Sequence, residues 1–322
     1  ERDYYSPEPA YPYDYVIGAV HYIKKDGVLF SVDESEEAQT EAVRRYFSGD
    51  YYAYTAAYYD NAVGVFARDS ATGRLTLVEV QKDGVGGVDG LAGATTLAFS
   101  PDASHVYLGG YQDNAVAVFS RDAATGRLTF IEVLKDGVNG VVGIWSVRAL
   151  APSPDGSHLY AASSYYGALA VFTRNPSTGQ LAFVEMLQDG AGGVDGLSGV
   201  QSVVVSPDGS YVYAAGTYES ALSRFNRDSI TGRLTYAGLL RDGVDGVDGL
   251  RGAWSLAISP DAEGNFLYAT SQYDDAVAVF TRDSTTGGLS YVDLLRDSTG
   301  GVDGLDEAEH VALSGSEVVG HG

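Results

Sequence analysis

Short apolar runs, broken by Gly, Pro, Asn and Asp, occupy most of the chain and return at a fixed interval. In one interval they fall at residues 94–100, 105–109, 115–120 and 128–134, rich in Val, Tyr, Phe and Leu. They alternate at period two or stay apolar throughout, which predicts strands; stacked helical repeats would need apolar residues at helical spacing. The interval is set by two independent markers. Thr-Gly pairs end at Gly73, Gly126, Gly179 and Gly232, 53 residues apart, and at Gly287 after 55. Ser-Pro-Asp places its proline at Pro101, Pro154, Pro207 and Pro260, and Phe66, Phe119, Phe172, Phe225 and Phe280 each close an AVxVF-like segment.

Four strands joined by tight turns make one antiparallel sheet per unit, and repetition of such sheets predicts an all-β propeller of four-stranded blades. A β-sandwich would need about twice the observed period. With the Ser-Pro-Asp strand innermost, complete blades begin near Ala94, Val147, Val200 and Ala253, and half-blades remain at both ends. Pairing residues 60–80 with residues 310–319 gives five blades closed by a composite N-/C-terminal blade. The alternative is six, with residues 15–32 as a hairpin completing the first copy.

Residues 1–59 lack both markers and are expected to form a small α/β extension, with the propeller from 60 to 322. Residues 13–23 suggest a strand, Lys25-Asp26-Gly27 a turn, residues 36–47 a helix with acids first and Arg44 and Arg45 last, and residues 51–59 a second helical stretch.

Two family resemblances follow from these motifs. SPDGSHLYAASS, DNAVAVFSRDAATGRLTFIEVLKDG and their cognates resemble the lactonase-like, YVTN-type propellers over residues 60–319. The resemblance implies a propeller whose blades serve lactone hydrolases and surface-binding proteins alike. YPYDYVIGAVHYIKKDG, with FSGDYYAYTAAYY, resembles part of the polymerase and histidinol phosphatase family of metal-dependent phosphoesterases, in which the residue matching His21 binds metal. The His-x-His and Asp-x-His elements of that family are missing from the chain, and one imidazole cannot hold a multinuclear centre.

In a propeller, the start of each inner strand opens on the central channel. Those positions are Thr95, Arg148, Gln201, Trp254 and Glu309, different in every copy while their neighbours repeat, as expected of a ligand site on a symmetric scaffold. A second set lies in the turn entering the third strand: Tyr59, Gln112, Tyr165, Tyr218 and Tyr273, followed by Asp60, Asp113, Tyr166, Glu219 and Asp274. Aromatic faces beside carboxylates suit sugars, so Tyr165, Tyr218 and Tyr273 join the candidate ligand site. The interblade loops pair Asp83 with Asp89, Asp189 with Asp195, Asp242 with Asp248 and Asp297 with Asp303, hard oxygen ligands suited to calcium, although the spacing is not that of an EF-hand and Val142 breaks the pattern once. His105 and His158 are expected in solvated turns away from the channel. A hydrolase would draw on Arg148 for an oxyanion and on Glu309 or His310 as base.

Composition narrows the function classes. A net charge of −23 argues against nucleic-acid partners, and no apolar run is long enough to insert in a membrane as a helix. The absence of Cys removes thiol chemistry, and a first residue Glu with Met186 as the single methionine suggests a processed or trimmed form of extracellular or cell-surface origin. Three functions fit: a secreted or surface propeller binding a carbohydrate or protein on its top face, a lactonase-like hydrolase, or a structural module that forms homo-oligomers or polymers through its terminal half-blades.

Overall fold

A computed structural model describes residues 52–313, apart from 70–71 and 260–263, and before them the backbone of four short strands. These are β1 (Tyr15–Ile17), β2 (Tyr22–Lys25), β3 (Val28–Ser31) and β4 (Thr40–Val43). The first four-stranded sheet, blade A, is β4 with β5 (Tyr52–Ala57), β6 (Ala62–Arg68) and β7 (Leu75–Lys82). Blade B holds β8 (Ala94–Phe99), β9 (His105–Gly110), β10 (Ala115–Arg121) and β11 (Leu128–Lys135). Blade C holds β12 (Val147–Pro152), β13 (His158–Ser163), β14 (Ala168–Arg174) and β15 (Leu181–Gln188). Blade D holds β16 (Val200–Val205), β17 (Tyr211–Gly216), β18 (Ala221–Arg227) and β19 (Leu234–Arg241). Blade E holds β20 (Ala253–Ile258), β21 (Phe266–Ser271), β22 (Ala276–Arg282) and β23 (Leu289–Arg296), and β24 (Val311–Leu313) follows.

Every four-stranded sheet is antiparallel with sequential strands adjacent, so the chain is an all-β propeller as its pattern predicts. The terminal arrangement differs from both expectations. β6 and β7 belong to a complete sheet with β4 and β5, so residues 60–80 are not a half-blade awaiting the C-terminal segment. β24 instead pairs with β1, Tyr15 opposite Leu313, and begins a further sheet. β2 pairs with β3 as a separate hairpin, with Lys25 opposite Val28, so residues 15–32 do not complete the first copy. No domain boundary falls at residue 60, because β5 and β6 are neighbours in one sheet.

The helices expected in residues 36–47 and 51–59 are replaced by β4 and β5 where those residues are described. Ala, Glu and Gln favour helix weakly, and the vacant ladder beside β6 outweighs that preference. His21 lies outside the described residues, as do residues 314–319.

The apolar core lies between blades. At each of the four junctions from A to E, side chains of two successive blades form one buried cluster. Phe119, Phe172, Phe225 and Phe280 are fully buried, and each meets an aromatic of the adjacent outer strand edge-on, Phe119 and Phe130 having centroids 5.4 Å apart. Along the outer edge, Glu79, Glu132 and Glu185 accept the N–H of Leu128, Leu181 and Leu234 of the following blade.

The repeated motifs build a second, polar junction on the face away from the inner-strand starts. Tyr107 and Tyr160 donate to the carbonyls of Gly179 and Gly232 in the next blade, and accept from Arg174 Nε and Arg227 Nε at 2.6 and 2.7 Å. The same two arginines, and Arg282 in blade E, pair with the Ser-Pro-Asp carboxylates: Arg227 with Asp155 at 2.6 Å, Arg174 with Asp102 at 3.4 Å, and Arg282 with Asp208 at 2.7 Å. The Thr-Gly turns need glycine twice over. Gly232 has φ +74°, and a Cβ there would stand 2.2 Å from the His158 ring of the preceding blade.

His105 and His158 are therefore buried junction residues rather than solvated turn residues, 5% and 1% exposed. Their Nδ1 atoms lie 2.9 and 2.8 Å from Arg174 Nη2 and Arg227 Nη2, so each ring accepts there as a neutral imidazole. Tyr52 and Tyr211 fill the same slot in blades A and D, in contact with Arg121 and Arg282. The slot thus takes an uncharged ring.

Burial, then the facing guanidinium, lowers both histidine pKa values below the ordinary 6.5. The unfolded chain consequently binds more protons, and stability present above pH 6.5 falls away as the pH drops toward the depressed folded values. Burial also raises the Asp102 and Asp155 carboxyls, but bonds from Ser100, Ser104, Ser153, Ser157 and the arginines outweigh it and bring both to about 2, so their contribution is lost only at lower pH, below 3.8. Replacing both histidines together (His105→Tyr, His158→Tyr) should preserve the melting temperature near about pH 8 and flatten its decline between about pH 7 and about pH 5. Thermal melts across that range check this; an unaltered slope would contradict it.

Candidate functional site

The inner strands are not regular. In β8, Ala94 faces Gly110 and Thr96 faces Gly109, leaving Thr95 as the extra residue of a β-bulge. Arg148 in β12 and Gln201 in β16 occupy the same bulge, and in β20 both Trp254 and Ser255 stand against Thr270. A bulge turns a side chain out of the ladder, here toward the channel. Thr95, Arg148, Gln201, Trp254 and Glu309 accordingly line one cavity of about 250 Å³ with Thr96, Ala149, Ser202, Ser255 and His310. The structure brings together the whole inner-strand set and His310.

Arg148 is the single cationic side chain of Lys or Arg type among these residues. Its guanidinium carbon sits 4.3 Å from the centroid of the Tyr111 ring, a cation–π contact from blade B. Among the described residues no carboxylate pairs with it, and its buried Nε has no hydrogen-bond partner. The contact with the ring face thus holds the guanidinium without using its Nε–H. Glu309 is steadied from the side: Gln272 Nε2 donates to its Oε1 at 3.3 Å, and Thr270 Oγ1 donates to its carbonyl at 3.1 Å. Thr95 Oγ1 donates to the Val147 carbonyl at 2.8 Å, tying blade B to blade C at the channel wall. Tyr111 was missed by sequence reasoning; it and Tyr58, 53 residues earlier, approach each other at 6.1 Å.

The tyrosine set does not join the cavity. Tyr165, Tyr218 and Tyr273 are 68%, 75% and 54% exposed and lie on separate blades. Tyr218 and Tyr273 lie over Gly199 and Gly252, and Tyr165 stacks on Trp145 with centroids 4.9 Å apart.

The acids expected to bind calcium gather with a third carboxylate from the neighbouring turn: Asp83, Asp89 and Asp113; Asp189, Asp195 and Glu219; Asp242, Asp248 and Asp274. Each group already holds a side-chain cation. Lys135 meets Asp89 at 2.7 Å, Arg241 meets Asp195 and Glu219, and Arg296 meets Asp248 and Asp274. At the junction where the acids give way to Val142 and Tyr166, the basic position is Gln188. Acids and base vanish together across the copies, the behaviour of ion-paired blade junctions. The pairing is incomplete: burial and then the neighbouring aspartates raise the Glu219 carboxyl. Among the described residues Asp297 and Asp303 collect no third acid; Asp297 accepts the Leu305 N–H at 2.8 Å and closes its own loop.

Similarity to known proteins fits the fold. Residues 42–190 and 184–298 match the family described as "Lactonase, 7-bladed beta-propeller", and the chain belongs to it. The match includes β5 and the whole of the segment FSGDYYAYTAAYY. A 6-phosphogluconolactonase of Bacillus subtilis (strain 168) is 27% identical over 144 residues, 45% of this chain and 40% of that protein. The chain thus spans less than half the length of that relative.

Among solved structures, a candidate 6-phosphogluconolactonase of Bacteroides uniformis ATCC 8492 superposes with TM-score 0.63 at 19% identity, covering 83% of this chain and 72% of its own. The periplasmic gluconolactonase PpgL of Pseudomonas aeruginosa gives TM-score 0.62 at 19% identity, covering 82% and 70%. These findings overturn the expectation of a propeller whose main role is to bind a carbohydrate or protein through the top-face tyrosines, which in any case do not converge.

Proposed function

We propose that the chain is a lactone hydrolase whose active site is the central cavity. The observation that carries this reading is the Arg148 guanidinium, half-buried at the channel, against the Tyr111 face and with its buried Nε left without a hydrogen-bond partner. Glu309 and His310 line the same cavity, so a base and an oxyanion partner share one space.

In the reaction, a water gives a proton to Glu309 or His310 as its oxygen bonds to the lactone carbonyl carbon. The carbonyl electrons move onto oxygen, and Arg148 donates hydrogen bonds to that oxyanion. Collapse breaks the ring C–O bond, the departing alkoxide takes the proton back from the base, and the product is a hydroxy acid. Family membership and the lactonase relatives support the class of reaction.

Two substitutions assign the base. If Glu309 is the base, Glu309→Gln lowers kcat about 10²-fold or more while His310→Asn costs little, and the reverse result gives the role to His310. Full activity in both variants would contradict a base at this cavity.

A further inference from the structure

Charge at the cavity sets which lactone it can take; this step rests on the lactone-hydrolase reading. Among the described residues that line it, Arg148 and Glu309 are the only formally charged side chains at neutral pH, one of each sign, with His310 beside them. Trp254 supplies an aromatic wall, and Gln201 and the serines and threonines supply uncharged hydrogen-bonding groups. The loops leading into the inner strands carry three acid groups, each with three carboxylates against one cation.

A phosphate monoester brings nearly two negative charges and needs matching cations, usually several donors of Arg or Lys type. Here the single guanidinium is the group assigned to the carbonyl oxygen and cannot also neutralise a distant phosphate. The approach to the cavity adds repulsion that water and salt screen only in part. A neutral polyhydroxylated lactone meets none of these costs: its C–H face can lie against Trp254 and its hydroxyls against Gln201 and the Ser and Thr side chains.

We infer that this cavity selects a neutral, unphosphorylated sugar lactone over its phosphate ester. The comparison is glucono-δ-lactone against 6-phosphoglucono-δ-lactone at low salt, followed as acid release. The neutral lactone should show kcat/KM at least about tenfold higher, with the gap narrowing as salt is added.

Gln201→Lys places a second cation in the cavity and should shift the ratio toward the phosphate ester by about tenfold. Product affinity supplies a readout that needs no turnover. In a Trp145→Phe background, Trp254 fluorescence should report tighter binding of gluconate than of 6-phosphogluconate.

Equal or faster opening of the phosphate ester, or tighter binding of 6-phosphogluconate, would overturn the inference. If neither lactone opens faster than in buffer, the hydrolase reading fails, and the two product affinities still decide the charge selectivity of the cavity.

Discussion

Replacing Arg148 with Met should lower kcat/KM for lactone opening by about 10²–10³-fold while leaving the fold intact, the range seen when one oxyanion donor is lost from a preorganised site. Met fills much of the same volume and can still contact the Tyr111 ring, so the blade B to blade C packing is retained. Loss should appear mainly in kcat, because the interaction strengthens as charge develops on the carbonyl oxygen. Arg148→Lys should restore only part of the rate: it keeps the charge but loses the planar stack and the fork of donors. Steady-state kinetics on both variants, with thermal melts as a check on folding, make the test. An Arg148→Met enzyme of near-normal kcat would remove Arg148 from the chemistry.

The largest stability effect is expected at the polar junction. Arg227 has a side chain only 1% exposed and serves the Tyr160 hydroxyl, the Gly209 carbonyl, Asp155 and His158 together. Arg227→Met removes the donor to all four and leaves the Asp155 charge without its partner, a change of the kind that costs about 3–5 kcal/mol when one member of a buried pair is deleted. Because Asp155 is partly exposed, water recovers some of that, and a loss on the order of 3 kcal/mol is expected. Arg233→Met removes an exposed pair with Glu185 and should cost about 0–1 kcal/mol. Denaturant unfolding of the two variants provides the contrast; equal midpoints would show that the buried arginine network does not hold adjacent blades together.

The repeat register revealed the blades and the channel positions, because a residue that differs in every copy while its neighbours recur stands out against the scaffold. Thr95, Arg148, Gln201 and Trp254 were visible in this way, and the bulges explain why those positions escape the packing that fixes the residues around them. Blade A was hidden for a related reason. Tyr54 stands 53 residues before Tyr107 and makes the same bond to a glycine carbonyl, but local composition in residues 36–59 suggested helix and masked the register. The pairing of β24 with β1 joins segments from opposite ends of the chain, with no local pattern to announce it.

The junction histidines were misjudged because a turn motif precedes them. The copies in which Tyr52 and Tyr211 replace them carried the evidence for an uncharged buried ring. The third acid of each ion-paired group came from a turn some 20–30 residues distant in sequence, a contact created only when the blades assemble.

The central claim is that the channel cavity opens lactones. Acid release from glucono-δ-lactone by the purified chain, measured at constant pH against spontaneous hydrolysis in the same buffer, tests it most directly. The account predicts saturable, protein-dependent release well above the buffer rate; a rate equal to that of buffer at every protein concentration would contradict it.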